Sequence, residues 1–207
     1  MAALKYWVWL TALPGLSNRS RLLLLERYSS PEDVYYADAE ELALTEGLTP
    51  GQAQLLSDKS LTRADRILAD CARGDIFLLT MQDAAYPARR RDIFDPPVLL
   101  YGKGSLPLFD EEAAIAVVGT RSCTPYGLRC AHRMGYELAR QGAVVVSGMA
   151  KGIDGAAMRG ALQAGGFTAA ALGGGARSSL YCEGQRSSPP AALPFAVLFD
   201  FIQHYII

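Results

Sequence analysis

Two cationic side chains follow apolar runs that end in glycine-bearing loops. Arg121 comes shortly after the apolar run 114–118, and Lys151 comes shortly after the run 143–146. Arginine and lysine bind phosphate oxygens, and neighbouring glycines let backbone N–H groups approach a ligand closely. These residue types at this spacing therefore predict an anion site, with phosphate as the natural ligand.

Three apolar runs predict the sheet that would position this site. The runs 114–118 and 143–146 are followed by a third, 168–172, which ends in the loop Gly173-Gly174-Gly175. Short continuous apolar runs are typical of strands that are buried on both faces of a parallel sheet. In such a sheet, ligands bind outside the carboxyl ends of the strands, so we expect all three glycine loops at one edge.

The segments between the runs predict helices. Tyr126 to Gln141 places four apolar residues at helical spacing, and we expect them on the buried face: Leu128, Ala131, Met134 and Leu138. Gly155 to Gln163 predicts a shorter helix with Asp154 as its N-cap. Alternating strands and helices are the doubly wound α/β pattern.

The predicted phosphate-binding residues lie on the first two loops and at the start of the second helix, whose dipole favours an anion. They are Arg121, Lys151, Gly119, Thr120, Ser147, Gly148, Gly152 and Gly155. A dinucleotide site is not indicated, because neither GxGxxG after the first strand nor a GxxxxGK[ST] loop is present. The alternative is that the glycines only make tight turns, which explains the two cations less well.

No catalytic or metal constellation is predicted, and no cofactor is expected. The four cysteines, 71, 123, 130 and 182, lack CxxC spacing, and the two histidines, 132 and 204, have no evident partners. Cys123, near the anion loop, could be a low-pKa thiol, although a small packing residue is favoured.

The composition and charge limit the classes of protein to which the chain can belong. The 207 residues carry a formal net charge of −1 and are 50% hydrophobic, which is typical of a globular chain. Because the charge is nearly neutral, a nucleic-acid site would have to be a local patch. No run reaches transmembrane length and residues 1–11 lack a signal-peptide pattern, so we expect a cytoplasmic protein with no membrane contact.

The chain divides into four predicted parts. Residues 1–75 predict helices, two of which start at Ser30-Pro31 and Thr49-Pro50. The tryptophans in this part are expected in its core. Residues 76–112 predict an extended lead-in to the sheet, and 113–175 the Rossmann-like core. Within the lead-in, the triplet 89–91 could contact phosphate, but a solvated arginine face is favoured. Residues 176–207 form a tail.

A family resemblance rests on motifs within 118–175. They are Val118-Gly119-Thr120-Arg121, then 124–127 (TPYG), 146–157 (VSGMAKGIDGAA), 159–162 (RGAL) and 172–175 (LGGG). Together they resemble the DprA/Smf family of DNA-processing proteins. The resemblance implies an extended Rossmann domain that binds single-stranded DNA in natural transformation, forms homodimers and hands the strand to the recombinase RecA. The family's basic contacts fall on Arg121 and Lys151, while Met158 stands where the family often has histidine.

The N-terminal part also resembles the family, whose members often begin with a helix-hairpin-helix or SAM-like domain. Such hairpins can hold DNA phosphates, but a packing role is favoured here because residues 13–16 are apolar.

The resemblance covers roughly residues 5–175 and then stops. Further sheet strands and a second signature, which the family uses for DNA binding and dimerisation, have no counterpart in 176–207. We therefore expect a truncated or frameshifted product that lacks the dimer interface, with one edge of the three-stranded sheet left open.

Three functions follow as hypotheses. The leading one is a single-stranded DNA-binding mediator, not an enzyme, that protects incoming strands and loads RecA. The alternative is a nucleotide-phosphate-binding enzyme of the lysine-decarboxylase-like, cytokinin-activating group, for which Asp154 is the only nearby carboxylate. The third is an inactive remnant.

Overall fold

The structure is a computed structural model that describes residues 3–172 and 195–199. It divides into two compact units, Met1–Leu99 and Leu100–Ile207. The finer division at residues 75, 112 and 175 stays a prediction. The third glycine loop, 173–175, lies outside the described residues, as does most of the tail.

The first unit is mainly helical, as expected. Its elements are α1 (Leu4–Ala12), α2 (Asn18–Tyr28), α3 (Pro31–Tyr36), α4 (Ala39–Ala43), α5 (Pro50–Leu55), α6 (Thr62–Arg73), β1 (Phe77–Thr80) and α7 (Ala88–Arg91). The two predicted helix starts are confirmed. Ser30 caps α3 by accepting from the Asp33 amide, and Thr49 forms a capping box with Gln52.

The core of the first unit is built on α1. Trp7 and Trp9 are buried, which confirms their predicted core position, and the Trp9 indole donates to the carbonyl of Asp58 at 2.8 Å. Helix α6 contributes the stripe Ala64, Ile67 and Cys71, all of them buried. Because these residues are three and four positions apart, they share one face of α6. That face packs against α1, as the periodicity predicts.

The second unit alternates strands and helices. Its elements are β2 (Leu99–Gly104), β3 (Ala114–Ala116), α8 (Pro125–Arg140), β4 (Val144–Ser147), α9 (Ile153–Gln163), β5 (Thr168–Leu172) and β6 (Phe195–Phe199). The strand order in this unit is β2-β6-β5-β4-β3. Strands β3 to β6 run parallel, and β2 pairs with β6 in the antiparallel sense. The predicted fold class, a Rossmann-like parallel sheet preceded by a helical region, is confirmed.

Burial differs between the strands. Val144 and Val145 of β4 are fully buried, as predicted for an interior strand. The expectation of burial on both faces is wrong for β3, because this strand stands at the end of the described sheet and Ile115 is 39% exposed. The expectation that the edge beyond the third strand is open is wrong, because β6 from the tail pairs with β5 in the parallel sense. Among the described strands, β3 stands at one end of the sheet.

Helices α8 and α9 cross with their backbones in contact. A Cβ atom on Gly135 would lie 2.0 Å from the carbonyl oxygen of Ala157, and one on Gly160 would lie 1.9 Å from that of His132. The predicted inner position of Met134 is wrong, since its side chain is 56% exposed. The buried face of α8 is instead centred on Ala131, Gly135 and Ala139, because only small residues fit at this crossing. None of the described helices is long and apolar enough to cross a membrane.

Candidate functional site

Two loops meet at the carboxyl edge of β3 and β4. The first loop, residues 117–124, joins β3 to α8, and the second loop, residues 148–152, joins β4 to α9. The two strands are parallel and adjacent, with Ile115 opposite Val145. Parallel neighbours end at the same edge, so the loops that carry Arg121 and Lys151 emerge side by side, as the sequence predicts.

Backbone contacts hold the two loops together. The amide of Ile153, the first residue of α9, donates to the carbonyl of Thr120 at 3.3 Å. Gly152 has φ of +90°, and a Cβ atom there would lie 2.3 Å from the Thr120 oxygen and 2.9 Å from the Arg121 Cα. Only glycine allows both this φ and this approach. The second loop therefore packs directly against the residue that carries the guanidinium of the first.

Asp154 joins the two loops through its side chain. Its carboxylate is buried, at 6% exposure, and accepts a hydrogen bond from the Gly119 amide at 3.0 Å. Its other oxygen lies 3.1 Å from where a Cβ atom on Gly148 would be. The carboxylate therefore ties the first loop to the start of α9 and lies close to Gly148 of the second loop.

The prediction that Asp154 caps α9 is wrong. The helix begins at Ile153 with Gly152 as its N-cap, because the Ala156 amide already bonds to the Gly152 carbonyl. Asp154 lies in the first turn, where a carboxylate also interacts favourably with the helix dipole. Its side chain is directed to the first loop and not to the amides of its own helix.

The start of α9 offers fewer donors than the sequence suggests. The amide of Ile153 bonds to Thr120, and the amide of Gly155 bonds to the carbonyl of Ala150 at 3.0 Å. Gly155 is also buried. Of the predicted residues, Gly155 and Gly119 therefore have their amides engaged within the protein, Gly119 by the Asp154 carboxylate. The glycines at 152 and 155 also have a packing reason of their own.

The remaining predicted residues fall into a surface group and a buried group. Gly119, Thr120, Arg121 and Lys151 are exposed, and Gly148 and Gly152 are half-buried. Ser147 is buried, and its hydroxyl donates to the Val117 carbonyl at 2.7 Å. The Thr120 hydroxyl donates to the carbonyl of Ser122 at 3.1 Å, which shapes the turn that contains Arg121. Side-chain recognition of an anion thus falls to the two cations.

Sequence reasoning missed Met149. Its φ is +57°, a left-handed conformation that non-glycine residues seldom adopt. It sits between Gly148 and Ala150, in the part of the second loop that leads to Lys151. In the sequence, only the glycines on either side of this segment indicate an unusual backbone conformation. Backbone strain of this kind costs of order 1–3 kcal/mol and concentrates at functional loops.

The cysteines near the site differ in exposure. Cys123 is half-buried in the first loop, and Cys130 is exposed on α8. Within the described ranges, no group of three or more His, Cys, Asp or Glu residues could hold a metal ion.

Comparison with known proteins identifies the family. The profile of the family described as "DNA recombination-mediator protein A" matches residues 77–187, more than half of the chain. This segment contains both loops and the elements that hold them. The chain belongs to the DNA recombination-mediator protein A family. The predicted resemblance to DprA/Smf proteins is confirmed.

Individual relatives of the family match over parts of their length. The DNA processing protein DprA of Bacillus subtilis (strain 168) is 36% identical over 110 residues, which are 53% of this chain and 37% of the relative. The DNA processing protein DprA of Streptococcus pneumoniae (strain R6) is 44% identical over 93 residues, 45% of this chain and 32% of the relative. The matched part of the chain spans about a third of these relatives.

A solved family structure shares the fold. The X-ray structure of DNA processing protein A from Streptococcus pneumoniae superposes with a TM-score of 0.76 at 28% sequence identity. The match covers 95% of this chain and 67% of that one.

Proposed function

We propose that this member of the DNA recombination-mediator protein A family binds single-stranded DNA through its first and second loops and acts without catalysis. The observation that carries the proposal is the contact between Gly152 and the backbone of Thr120 and Arg121. It holds one cation from each of two neighbouring strands at a single sheet edge. Both side chains are exposed, so they can reach phosphates without any change of fold.

Contacts of this kind would be made to the backbone of the strand. Arginine binds phosphate through paired N–H donors, and lysine binds it as a point charge. Phosphate contacts position a nucleic acid but carry no sequence information. We therefore expect binding that tolerates any sequence and weakens as salt is added.

The engagement of Asp154 supports a binding protein over an enzyme. A nucleotide-processing enzyme would need a carboxylate free to act at a scissile bond. Asp154 is buried and accepts the Gly119 hydrogen bond. Three finer proposals follow from the family: protection of incoming strands, hand-over to RecA and a cytoplasmic location. They apply to the whole-length relatives, of which this chain matches about a third.

Fluorescence anisotropy with a labelled single-stranded oligonucleotide tests the proposal. The wild type is titrated at several salt concentrations beside Arg121→Ala and Lys151→Ala. For single strands the log–log salt slope is about −0.7 per phosphate neutralised, so each variant should flatten the slope by about that amount.

Arg140→Ala is the matched control, because Arg140 is an exposed cation at the opposite end of α8 from the first loop. It should leave the slope nearly unchanged. Release of a free base from mononucleotides would instead support the enzyme. If Arg121→Ala and Lys151→Ala behave like Arg140→Ala, the site is not at these loops.

A further inference from the structure

An almost fully exposed aromatic ring stands on the first unit, in a segment that the proposed site does not use. Phe94 is 96% exposed, and its neighbour Ile93 is 40% exposed. Both follow the one-turn helix α7, whose Arg89 and Arg90 are exposed as well. We call these four residues the Phe94 surface. Because this ring is not buried against its own chain, its surface is available for contact with a ligand.

The backbone that carries this surface is anchored on both sides. Before it, the Tyr86 ring is buried and its hydroxyl donates to the Pro97 carbonyl at 2.7 Å. After it, the Asn18 side chain donates to both Asp95 Oδ1 and the Pro96 carbonyl, each at 2.8 Å. The ring is therefore displayed on a fixed turn, which lowers the entropy lost when a ligand stacks on it.

Three charged groups near Arg89 and Arg90 have partners of their own. Arg91 turns back, with its guanidinium over the Tyr86 ring and a hydrogen bond to the Asp83 carbonyl. The Asp83 carboxylate is engaged by the amide and hydroxyl of Thr80. Asp95 accepts from the Asn18 side chain, and Asp92 follows the arginine triplet directly; both carboxylates are exposed.

We propose that the Phe94 surface is a second contact for single-stranded nucleic acid, with a base stacked on Phe94 and adjacent phosphates bound by Arg89 and Arg90. Aromatic side chains beside cations are the combination that binds single strands, because every base has a face that stacks and every linkage carries a charge. A single ring that follows an arginine-bearing turn suits a strand better than it suits a protein partner, which needs about 800 Å² of surface on each side. The ligand is that of the proposed function, on which this inference rests, but the surface is separate.

The full chain is titrated with an unmodified oligothymidylate and with an abasic oligonucleotide of the same length. Phe94→Ala should weaken binding to the unmodified strand by about 5-fold or more, the usual effect of losing one stacked base. Phe94→Tyr keeps a stacking ring and should bind like the wild type, whereas Phe94→Leu, apolar but without a ring face, should bind like Phe94→Ala. On the abasic strand all four proteins should bind alike. Circular dichroism should show the wild-type fold throughout, since the exposed ring packs into no core.

Lys151→Ala is measured beside these variants to separate the two proposals. If Lys151→Ala weakens binding and Phe94→Ala does not, the Phe94 surface is not a contact while the loop site stands. If Phe94→Ala weakens binding to the abasic strand as much as to the unmodified one, stacking is refuted. If the folded wild type binds neither strand, both proposals fail.

Discussion

The carboxylate of Asp154 accepts a hydrogen bond from the backbone amide of Gly119 at 3.0 Å. The two residues are 35 positions apart, at the start of α9 and just after β3. The carboxylate is buried, whereas Gly119 lies at the surface. This one contact holds the first loop, and with it the backbone beside Arg121, against the helix that follows Lys151.

Removing that acceptor is expected to destabilise the protein. Asp154→Ala removes this partly buried hydrogen bond, which costs about 1 kcal/mol of unfolding free energy. Asp154→Asn keeps an oxygen at the same point and should lose clearly less. Urea denaturation of both variants measures the difference. Equal losses would contradict the prediction, because they would show that a neutral oxygen at this point contributes no stability.

Gly152→Ala is expected to separate the two loops. A methyl group would clash with the Thr120 oxygen, from which it would lie 2.3 Å away, and it would be held at φ +90°. Gly142→Ala is the control, because Gly142 has φ of +81° with nothing within 4 Å of its Cβ position in the described chain. The control should lose about 1–2 kcal/mol for the left-handed backbone alone. Gly152→Ala should lose more, measured by thermal unfolding, and should also bind single-stranded DNA more weakly. Matching losses in the two variants would refute the steric explanation.

Thr168→Val is expected to stabilise the sheet. Thr168 is fully buried at the start of β5, and its hydroxyl has no hydrogen-bond partner within the described residues. Valine has nearly the same shape and removes that desolvated group, so unfolding free energy should rise by about 1 kcal/mol. Thr80→Val is the contrast, since the Thr80 hydroxyl donates to the Asp83 carboxylate at 2.8 Å. It should lower stability. A loss on Thr168→Val would indicate that the hydroxyl is satisfied in solution.

The buried thiol of Cys71 predicts an alkaline dependence of stability. Burial raises the pKa of Cys71 from 9.0 to about 11, so above pH 9 the unfolded chain loses a proton that the folded chain keeps. The contribution of the neutral thiol is complete below pH 9 and is lost as pH rises through about 11. The advantage of the wild type over Cys71→Ala in thermal unfolding should therefore shrink across this range. The same comparison with Cys130→Ala, whose thiol is exposed, is the control. A constant advantage of the wild type over Cys71→Ala would contradict the prediction.

Local patterns predicted the elements of the fold well. The run 168–172 is β5 to the residue, and Ser30 and Thr49 start helices α3 and α5 as their capping chemistry indicates. These features depend on residues close together in the chain. The two cations were also predicted at the correct sheet edge, because parallel strands bring their carboxyl ends together.

What the sequence did not reveal depends on distant contacts. Asp154 looked like a helix cap because its partner, Gly119, lies in another loop. Met134 fits an apolar stripe by spacing, yet α8 turns its glycine face to α9, and the methionine is left exposed. The pairing of β6 between β5 and β2 joins segments far apart in the chain, for which periodicity carries no signal.

The crossing at Gly135 and Gly160 leaves no room between the backbones of α8 and α9. Each helix begins directly after the loop that holds one of the two cations. The positions from which Arg121 and Lys151 extend are thus fixed before any ligand binds. A ligand that binds both side chains must therefore rotate its own backbone torsions to place its phosphates beside them. An unpaired strand is free to do so, whereas the phosphates of a duplex are held at the spacing of its base pairs.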